Sequence, residues 1–347
     1  MKTIRKMEIK IDSSLKHSIY KQIVDEIERG ARDGSLAPGD MLPSMNVLAS
    51  SHDISRETVK KAYGLLVDKG IIEPRHGKGF YVKDLSKTAK TEILVLFDKL
   101  SVYKQILFNA FAEQLGPGME ITILNHDQNP DLLEYYLDNQ LDRFDYYVVA
   151  PHFSLDDETQ RRVNVLLSRI PVRKLILLDK LQTGLKGNFG AVYQDFENDI
   201  KEGLEEGILA HPGMSHLRVI TLPTSMYGAQ IRKGIESFTR HHSIWAEFLD
   251  SVPDNIAPGD TFLILNSQLD AGLVDLARKI AQKDLVIGKD VFIISYNEFD
   301  TAELVLGGLT TVSTDFPAMG RIAANMIMSR EMKKVHCPFV LTRRRTF

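Results

Sequence analysis

The sequence predicts two fold classes in one chain, an α+β domain at the N-terminus and a two-lobed α/β domain of parallel sheets after it. Three observations support this prediction. The 347 residues exceed one ordinary domain. Residues 1–83 read as three helices and a β-hairpin, whereas residues 92–347 alternate β-prone and helical segments. Residues 84–91 are polar and lack periodicity, so we expect them to be a linker.

Composition narrows the class of protein. Hydrophobic residues make up 44% and charged residues 26%, as in globular proteins. The single cysteine, Cys337, excludes an internal disulfide framework and a thiol-rich metal site. No apolar run suits an export signal or a membrane span, so we expect a cytoplasmic protein without membrane contact. Residues 1–84 carry 15 Lys and Arg against 12 Asp and Glu, a mild basic bias within a chain of net charge −3.

The first helix is predicted from residues 15 to 32, where Ile19, Ile23 and Ile27 recur at helical spacing. Ser44 and Ser55 are suitable N-caps for two further short helices. The last of these has one apolar face and one face with Arg56 and Lys60. Two short helices separated by a tight turn make a helix-turn-helix, whose second helix enters the DNA major groove.

A hairpin is predicted to follow Gly70. Two β-prone runs, 71–73 and 80–82, flank a turn with glycines that allow positive φ. Arg75, His76 and Lys78 would project from its tip. Taken alone, a cationic helix face or a basic hairpin is more often just solvated surface.

The order of these elements resembles the GntR family across about residues 14–83. The matching motifs are Gly34-x-Leu-x-Pro-Gly-Asp40, Leu42-Pro-Ser44, Ser55-Arg-x-Thr-Val59, Ala62-Tyr-x-x-Leu66 and Gly77-x-Gly-x-x-Val82. The resemblance implies a winged helix-turn-helix in which Arg56 and Lys60 contact DNA, His76 and Gly77 reach the minor groove, and Thr58 meets a phosphate. The full set of expected DNA-binding residues is Ser44, Asn46, Ser55, Arg56, Thr58, Lys60, Arg75, His76, Gly77 and Lys78.

One position departs from the family pattern. Many members have an arginine where this chain has Asn46. Asparagine can hydrogen-bond a phosphate or an adenine edge but brings no charge. The operator is therefore expected to differ from the commonest half-site of the family.

The second domain has seven β-prone runs with helical segments between them. The predicted strands are 92–97, 120–124, 146–150, 175–178, 217–222, 261–266 and 291–295, and the predicted helices are 103–115, 131–142, 156–169, 196–209, 227–241 and 268–283. Such alternation is typical of parallel sheets covered by helices. Ligands of these sheets bind beyond the carboxyl ends of the strands.

A looser resemblance joins residues 92–347 to the effector domain of the LacI family, which shares its fold with type I periplasmic sugar-binding proteins. It is carried by Leu178-Asp179, Val192-x-x-Asp195, Asn266-x-Gln-x-x-x-Gly272, Gly288-x-Asp-Val-x-Ile-Ile-Ser-Tyr296 and Leu309-Thr-Thr-Val312. The implied lobes are about 92–190 plus 315–334 and 191–312 plus 335–347. A GntR-like DNA-binding domain joined to a LacI-like effector domain is similar to a branch of the family that includes arabinose-responsive repressors.

The expected ligand-binding residues are the polar side chains that follow the strands. They are Asp98, Lys99, Ser101, Tyr103, His152, Tyr227, Arg232, Asn266, Gln268, Asn297 and Glu298. The family often has Asp after the Asn at position 266, where this chain has Ser267, and its sugar-contacting arginine lies three residues before a glycine, whereas Arg232 lies two before Gly234. We expect a small neutral monosaccharide, with a sugar phosphate bound through Lys99, Arg232 and Lys233 as the alternative.

Other functions remain as alternatives. Some GntR proteins carry a pyridoxal-phosphate aminotransferase-like domain, but this chain is short for one and has no recognisable Schiff-base lysine context. All-helical sensing domains disagree with the β-prone runs. We expect no enzyme activity, cofactor or metal. We expect a homodimer on double-stranded operator DNA, because operators for this motif have two half-sites, and repression relieved by a sugar by family analogy.

Overall fold

The computed structural model describes residues 11, 18–84, 90–141, 143–211, 213–221, 225–265 and 271–347. It divides into two compact units between Lys90 and Thr91, and each is described by itself. Among the described residues no helix is both long enough and apolar enough to cross a membrane. Of the expected linker, residues 85–89 lie outside the described residues.

The N-terminal unit is a winged helix-turn-helix, as the sequence predicts. Its elements are α1 (Ile19–Asp33), α2 (Met45–Ser51), α3 (Arg56–Asp68), β1 (Ile72–Arg75) and β2 (Gly79–Val82). The apolar face of α1 packs with Leu48, Val59 and Leu66 in one buried core. β1 and β2 pair antiparallel. Burial of this core fixes the angle between α2 and α3 and leaves the polar face of α3 in solvent.

Tyr63 joins three parts of this unit. Its hydroxyl donates a hydrogen bond to the Pro43 carbonyl at 2.7 Å, immediately before α2. Its ring meets Phe80 of the hairpin edge to face, with centroids 4.9 Å apart. A buried tyrosine whose hydroxyl has a partner contributes both buried apolar area and a directional hydrogen bond. The hairpin is therefore held in a fixed position relative to α3.

The first lobe of the C-terminal unit is a six-stranded parallel sheet with helices on both faces. Its strands are β3 (Thr91–Phe97), β4 (Met119–Asn125), β5 (Tyr146–Val149), β6 (Leu175–Asp179), β7 (Gly190–Tyr193) and β13 (Lys334–His336), and its helices are α4 (Val102–Leu115), α5 (Pro130–Gln140), α6 (Asp157–Leu167) and α10 (Phe316–Ser329). The strand order is β13-β7-β6-β5-β3-β4. Ile93, Val95 and Phe97 face one layer, and Leu94 and Leu96 face the other.

The second lobe repeats this architecture. Its strands are β8 (His216–Ile220), β9 (Trp245–Leu249), β10 (Thr261–Ile264), β11 (Phe292–Tyr296), β12 (Thr310–Thr314) and β14 (Phe339–Thr342), and its helices are α7 (Phe196–Ala210), α8 (Gly228–His241) and α9 (Ala271–Gln282). The order is β14-β12-β11-β10-β8-β9, and β14 alone of these pairs antiparallel. α7 and α8 approach closely because residue 234 is glycine, where a Cβ would lie 2.1 Å from the Glu197 carbonyl oxygen.

The described chain passes between the lobes at three places. They lie between β7 and α7, between β12 and α10, and between β13 and β14. The first sheet therefore extends through Tyr193, and takes in His336, a few residues beyond the bounds of 190 and 334 expected from the sequence. The fold class predicted for each unit is confirmed.

Candidate functional site

The exposed face of α3 is the first candidate surface. Arg56 and Lys60 are exposed on it, one helical turn apart. Lys60 lies 3.4 Å from Glu57, an exposed pair of little energetic consequence. The guanidinium of Arg56 has no hydrogen bond or ion pair within the described part of this unit. Neither cation is therefore held away from an incoming phosphate or base edge.

Two serines begin the helices of this surface. The Ser44 hydroxyl oxygen accepts a hydrogen bond from the Val47 amide at 3.3 Å, and the Ser55 oxygen accepts one from the Thr58 amide at 3.1 Å. Ser55 Oγ and Thr58 Oγ1 also lie 2.8 Å apart. Since these caps satisfy helix N–H groups, Ser44 and Ser55 have a structural role at the place where the sequence predicts DNA contact. Asn46 is exposed on α2.

The hairpin presents the second part of this surface. Arg75, His76, Gly77 and Lys78 are all exposed, and the Lys78 amide donates to the Arg75 carbonyl at 2.9 Å to close the turn. Gly77 has φ +69°, which a side chain there would strain. The Arg75 guanidinium lies over the Tyr81 ring and bonds Glu73 at 2.9 Å, so it is oriented before any ligand arrives. The helix face and the hairpin together form a cationic surface that suits a nucleic acid backbone.

The second candidate site lies at the carboxyl ends of the parallel strands of the C-terminal unit. Asp98 follows β3, His152 follows β5, and Asp179 ends β6. Lys104 of α4 reaches between them: its Nζ lies 3.4 Å from Asp98 Oδ1 and bonds Asp179 Oδ2. His152 Nε2 lies 2.8 Å from the same Asp179 oxygen. We refer to Asp98, Lys104, His152 and Asp179 as the ionic cluster.

The ionic cluster is withdrawn from water. Its four side chains belong to residues only 4–6% exposed. Burial alone would lower the pKa of Lys104, but the carboxylates of Asp179 and Asp98 outweigh it and raise that pKa. Burial would likewise raise the pKa of Asp179, but Lys104 and His152 hold it well below its usual range. Lys104 therefore stays an ammonium and Asp179 a carboxylate, each dependent on the other.

Hydrogen bonds connect the ionic cluster to the second lobe. The Tyr227 hydroxyl lies 2.6 Å from His152 Nδ1. The Gln194 amide nitrogen donates to Asp179 Oδ1, and the Thr314 hydroxyl donates to Gln194 Oε1 at 2.6 Å. Tyr227 and Thr314 belong to the second lobe. Directional polar contacts thus join the two lobes beside the cluster.

A cavity of about 280 Å³ lies beside these contacts. Its walls include Lys180, Tyr193, Gln194, Phe196, Tyr227 and Gln230. The rings of Phe196 and Tyr227 stack with centroids 4.0 Å apart. Burial lowers the pKa of Lys180 to about 8, and its ammonium bonds Gln160 Oε1 at 3.2 Å. Aromatic walls with a few convergent polar groups are typical of small-molecule sites.

The structure brings some of the predicted ligand residues together. Asp98, His152 and Tyr227 meet in and around the ionic cluster, and Ser101 caps α4 by accepting from the Lys104 amide at 3.3 Å. Tyr103 stacks on Phe316, with centroids 5.3 Å apart.

Other predicted residues have different partners, are exposed or lie outside the described residues. Arg232 is exposed on α8, where it bonds Glu236 at 2.8 Å and covers the Phe248 ring; it is not among the described residues that line the cavity, and its contact with a ligand stays a prediction. Glu298 forms a bidentate pair with Arg344 at 2.9–3.0 Å. The backbone N–H of Asn297 donates to the Val312 carbonyl, and Lys99 is exposed. Asn266 and Gln268 lie outside the described residues.

Sequence reasoning missed Lys104, Gln194 and Lys180. A lysine on an amphipathic helix is ordinarily solvated, so Lys104 gives no local signal of burial. Gln194 lies at a passage between lobes that no periodicity marks. Lys180 directly follows Asp179 at the end of a strand, and this position is the one sequence feature that could have indicated a place in the site.

The comparisons with known proteins match both units separately. A family model described as bacterial regulatory proteins, gntR family, matches residues 19–82. The HTH-type transcriptional repressor YtrA of Bacillus subtilis is 32% identical over 117 residues, which cover 34% of this chain and 86% of that protein. The arabinose metabolism transcriptional repressor of Halalkalibacterium halodurans is 27% identical over 145 residues, 38% of each chain. The chain thus spans well under half of the latter relative.

Solved structures resemble the C-terminal unit in fold. A LacI family transcriptional regulator from Lactobacillus casei with bound glucose has a TM-score of 0.54 at 17% identity, covering 74% of this chain and all of that one. A dimeric Lac repressor has a TM-score of 0.57 at 17% identity and covers 74% of this chain and 98% of its own. At such identity the likeness establishes the two-lobed fold alone.

Proposed function

Because the chain belongs to the GntR family of bacterial regulatory proteins, we propose that its N-terminal unit binds operator DNA as a repressor and that its C-terminal unit senses a small sugar. The observation that carries the DNA half is the cationic surface formed by the exposed face of α3 and the hairpin tip. α3 enters the major groove with Arg56 and Lys60, and His76 and Gly77 approach the minor groove. The DNA phosphates are contacted by six further residues: Ser44 and Asn46 at the start of α2, Ser55, Thr58, Arg75 and Lys78.

The sensing half rests on the two-lobed fold and on the polar contacts between its lobes. A ligand that replaces the Tyr227–His152 and Gln194–Thr314 contacts changes how the lobes meet. Its binding then alters operator affinity only to the extent that it favours one arrangement of the protein over the other. The relative named for arabinose metabolism and the fold neighbour that holds glucose support a sugar as this ligand.

We propose a homodimer that works in the cytoplasm, without catalytic activity. Each chain has one α3, and operators for this motif have two half-sites that match protein two-fold symmetry. The dimeric Lac repressor of the same fold is consistent with a dimer formed through the C-terminal unit.

The test begins with selection of duplexes from a random DNA pool by the purified protein. The selected operator is then titrated with and without a panel of monosaccharides. We expect a two-fold symmetric operator whose affinity falls at least tenfold when one of the sugars is present. Failure to enrich any sequence would refute the DNA half, and an operator affinity unaffected by every sugar would refute the sensing half.

A further inference from the structure

Lys180 lies in the wall of the cavity, directly after the buried Asp179. Asp179 has φ +71°, in the left-handed region that side chains rarely adopt, and the Lys180 amide donates to the Leu178 carbonyl at 2.8 Å. The chain turns sharply at this point. Asp179 therefore enters the ionic cluster, whereas the next side chain lines the cavity.

The amine of Lys180 is held by a neutral group. Its Nζ lies 3.2 Å from the amide oxygen Oε1 of Gln160, which also accepts a hydrogen bond from Gln182 Nε2 at 2.9 Å. Within the described ranges Lys180 forms no ion pair, whereas Lys104 of the same lobe lies between two carboxylates. An amide oxygen that is already shared stabilises an ammonium less than a carboxylate does. The surroundings of Lys180 therefore do little to keep its proton in place.

The carboxylates of the same wall do not replace the missing partner. Both oxygens of Asp195 accept hydrogen bonds from Asn198, one from its backbone and one, at 2.7 Å, from its side chain. Glu197 is exposed and is not paired with Lys180 in the described structure. Burial lowers the pKa of Lys180 to about 8. At pH 7.5 about a quarter of this amine is then neutral, against about 0.1% of an ordinary lysine.

A neutral amine beside a ligand space is a nucleophile. Desolvated lysines form Schiff bases with carbonyl compounds. The rest of the cavity, about 280 Å³ in volume, offers the rings and hydroxyls of Tyr193 and Tyr227 and the amides of Gln194 and Gln230. These groups suit a small ligand that carries hydroxyls next to its reacting carbon.

We propose that Lys180 binds its ligand covalently, by forming a reversible imine with the carbonyl carbon of a small hydroxy aldehyde or hydroxy ketone. The lone pair of Nζ attacks the carbonyl carbon, and one N–H proton passes to the carbonyl oxygen, which gives a carbinolamine. The hydroxyl group then leaves with the second N–H proton as water, and the C=N bond forms. One amine and one carbonyl yield one imine and one water, so nothing is oxidised or reduced.

The wall also supplies a group that can move the proton. Glu197 is an exposed carboxylate on the same cavity, so it can accept the proton from nitrogen and return it to oxygen. The inference goes beyond the proposed function, because it concerns a covalent bond at one side chain. Its failure would leave the proposed sugar sensing intact, since a sugar can bind the cavity without an imine.

The test is reductive trapping on the full-length protein at pH 7.5 with glyceraldehyde and cyanoborohydride, which reduces an imine to a stable secondary amine. Peptide mass spectrometry then gives the rate of labelling at each lysine. We expect Lys180 to be labelled at least about tenfold faster than the exposed Lys99 and Lys289, because more of its amine is neutral. A rate no higher than that of these two lysines would overturn the proposal.

Two further measurements separate a ligand site from a merely reactive amine. Propanal has the same chain length without hydroxyls, so the preference for Lys180 over Lys99 should be at least about threefold larger with glyceraldehyde. Equal preferences with both aldehydes would refute the hydroxy carbonyl site. On the intact protein, Lys180→Arg keeps the positive charge and should lower the singly labelled fraction at least about fivefold, whereas Lys289→Arg should not. Equal fractions for the two variants would likewise contradict an imine at Lys180.

Discussion

The Tyr227 hydroxyl lies 2.6 Å from Nδ1 of His152, and this contact joins the second lobe to the ionic cluster of the first. His152 uses its other nitrogen on Asp179, which also receives Lys104 and Gln194. Tyr227 is therefore connected through His152 to the buried carboxylate of Asp179. The contact couples the arrangement of the two lobes to the hydrogen bonding of the cluster.

Tyr227→Phe removes this link while keeping the ring that stacks on Phe196. It leaves one buried nitrogen of His152 without its partner, which costs about 1–3 kcal/mol of stability. We expect the free energy of unfolding of the C-terminal unit to fall by that amount, measured in urea. Tyr135→Phe, at an exposed position in α5, is the control. If the two variants were equally stable, the Tyr227–His152 contact would contribute nothing to the stability of the folded protein.

Arg56→Ala should abolish sequence preference and leave folding unchanged, because Arg56 is exposed and its guanidinium makes no hydrogen bond or ion pair among the described residues. A bidentate arginine–guanine contact is worth about 1–3 kcal/mol of discrimination. Gel-shift titration of operator against scrambled duplex measures it. Arg240→Ala, exposed at the end of α8, is the matched control. Retention of full preference by Arg56→Ala would contradict the placement of α3 in the groove.

Lys78→Ala should weaken binding to every duplex alike and lower the slope of log affinity against log salt by about one. The reason is that Lys78 contributes charge at the hairpin tip and no base contact. Gly77→Val should weaken binding through backbone strain at φ +69°. A slope that Lys78→Ala leaves unaltered would remove Lys78 from the phosphate contacts.

His126 predicts a pH dependence of stability. Its pKa in the folded protein is about 4 against an ordinary 6.5, because burial disfavours the cation. As the pH falls from 6.5 towards 4, the unfolded chain takes up a proton that the folded chain refuses, so the free energy of unfolding drops. The loss is on the order of 3 kcal/mol and is complete below pH 4.

His126→Gln, which can still donate to the Ala150 carbonyl, should show a shallower loss over the same range. Denaturation at pH 7 and at pH 5 gives the comparison, with His241→Gln at an exposed position as control. Asp199, whose pKa burial raises to about 6, contributes in the opposite direction but equally to all three proteins. Identical pH profiles for the wild type and His126→Gln would show that His126 is protonated freely.

Much of the fold could be predicted from the sequence because its signals are local. Ser44 and Ser55 begin helices as N-caps, and the runs at β3, β5 and β6 are buried as continuous apolar strands. The ionic cluster could be predicted only in part. Asp98 and His152 follow strands and so share an edge, but the burial of Lys104 depends on the meeting of two carboxylates 81 residues apart in sequence.

Contacts with distant residues decide the surroundings of the other candidate ligand residues. Arg232 was named by the family resemblance although it lies two rather than three residues before Gly234, and on α8 it is exposed and bonded to Glu236, whereas Ile231 is buried. Glu298 does follow β11, but Arg344, 46 residues later, occupies it. Neither outcome follows from spacing, because both depend on which distant element packs alongside.

The three passages of the chain between the lobes restrict the motion that a ligand can drive. One passage would permit rotation about any axis, whereas three passages side by side permit mainly a bend about the line that they share. The passages do lie side by side, because β7 pairs with β13 in the first sheet and β12 pairs with β14 in the second. Asp195 and Asp315 cap α7 and α10, so a helix begins directly after two of these passages. Whichever molecule binds between the lobes, we therefore expect it to change mainly how far the two lobes are bent towards each other.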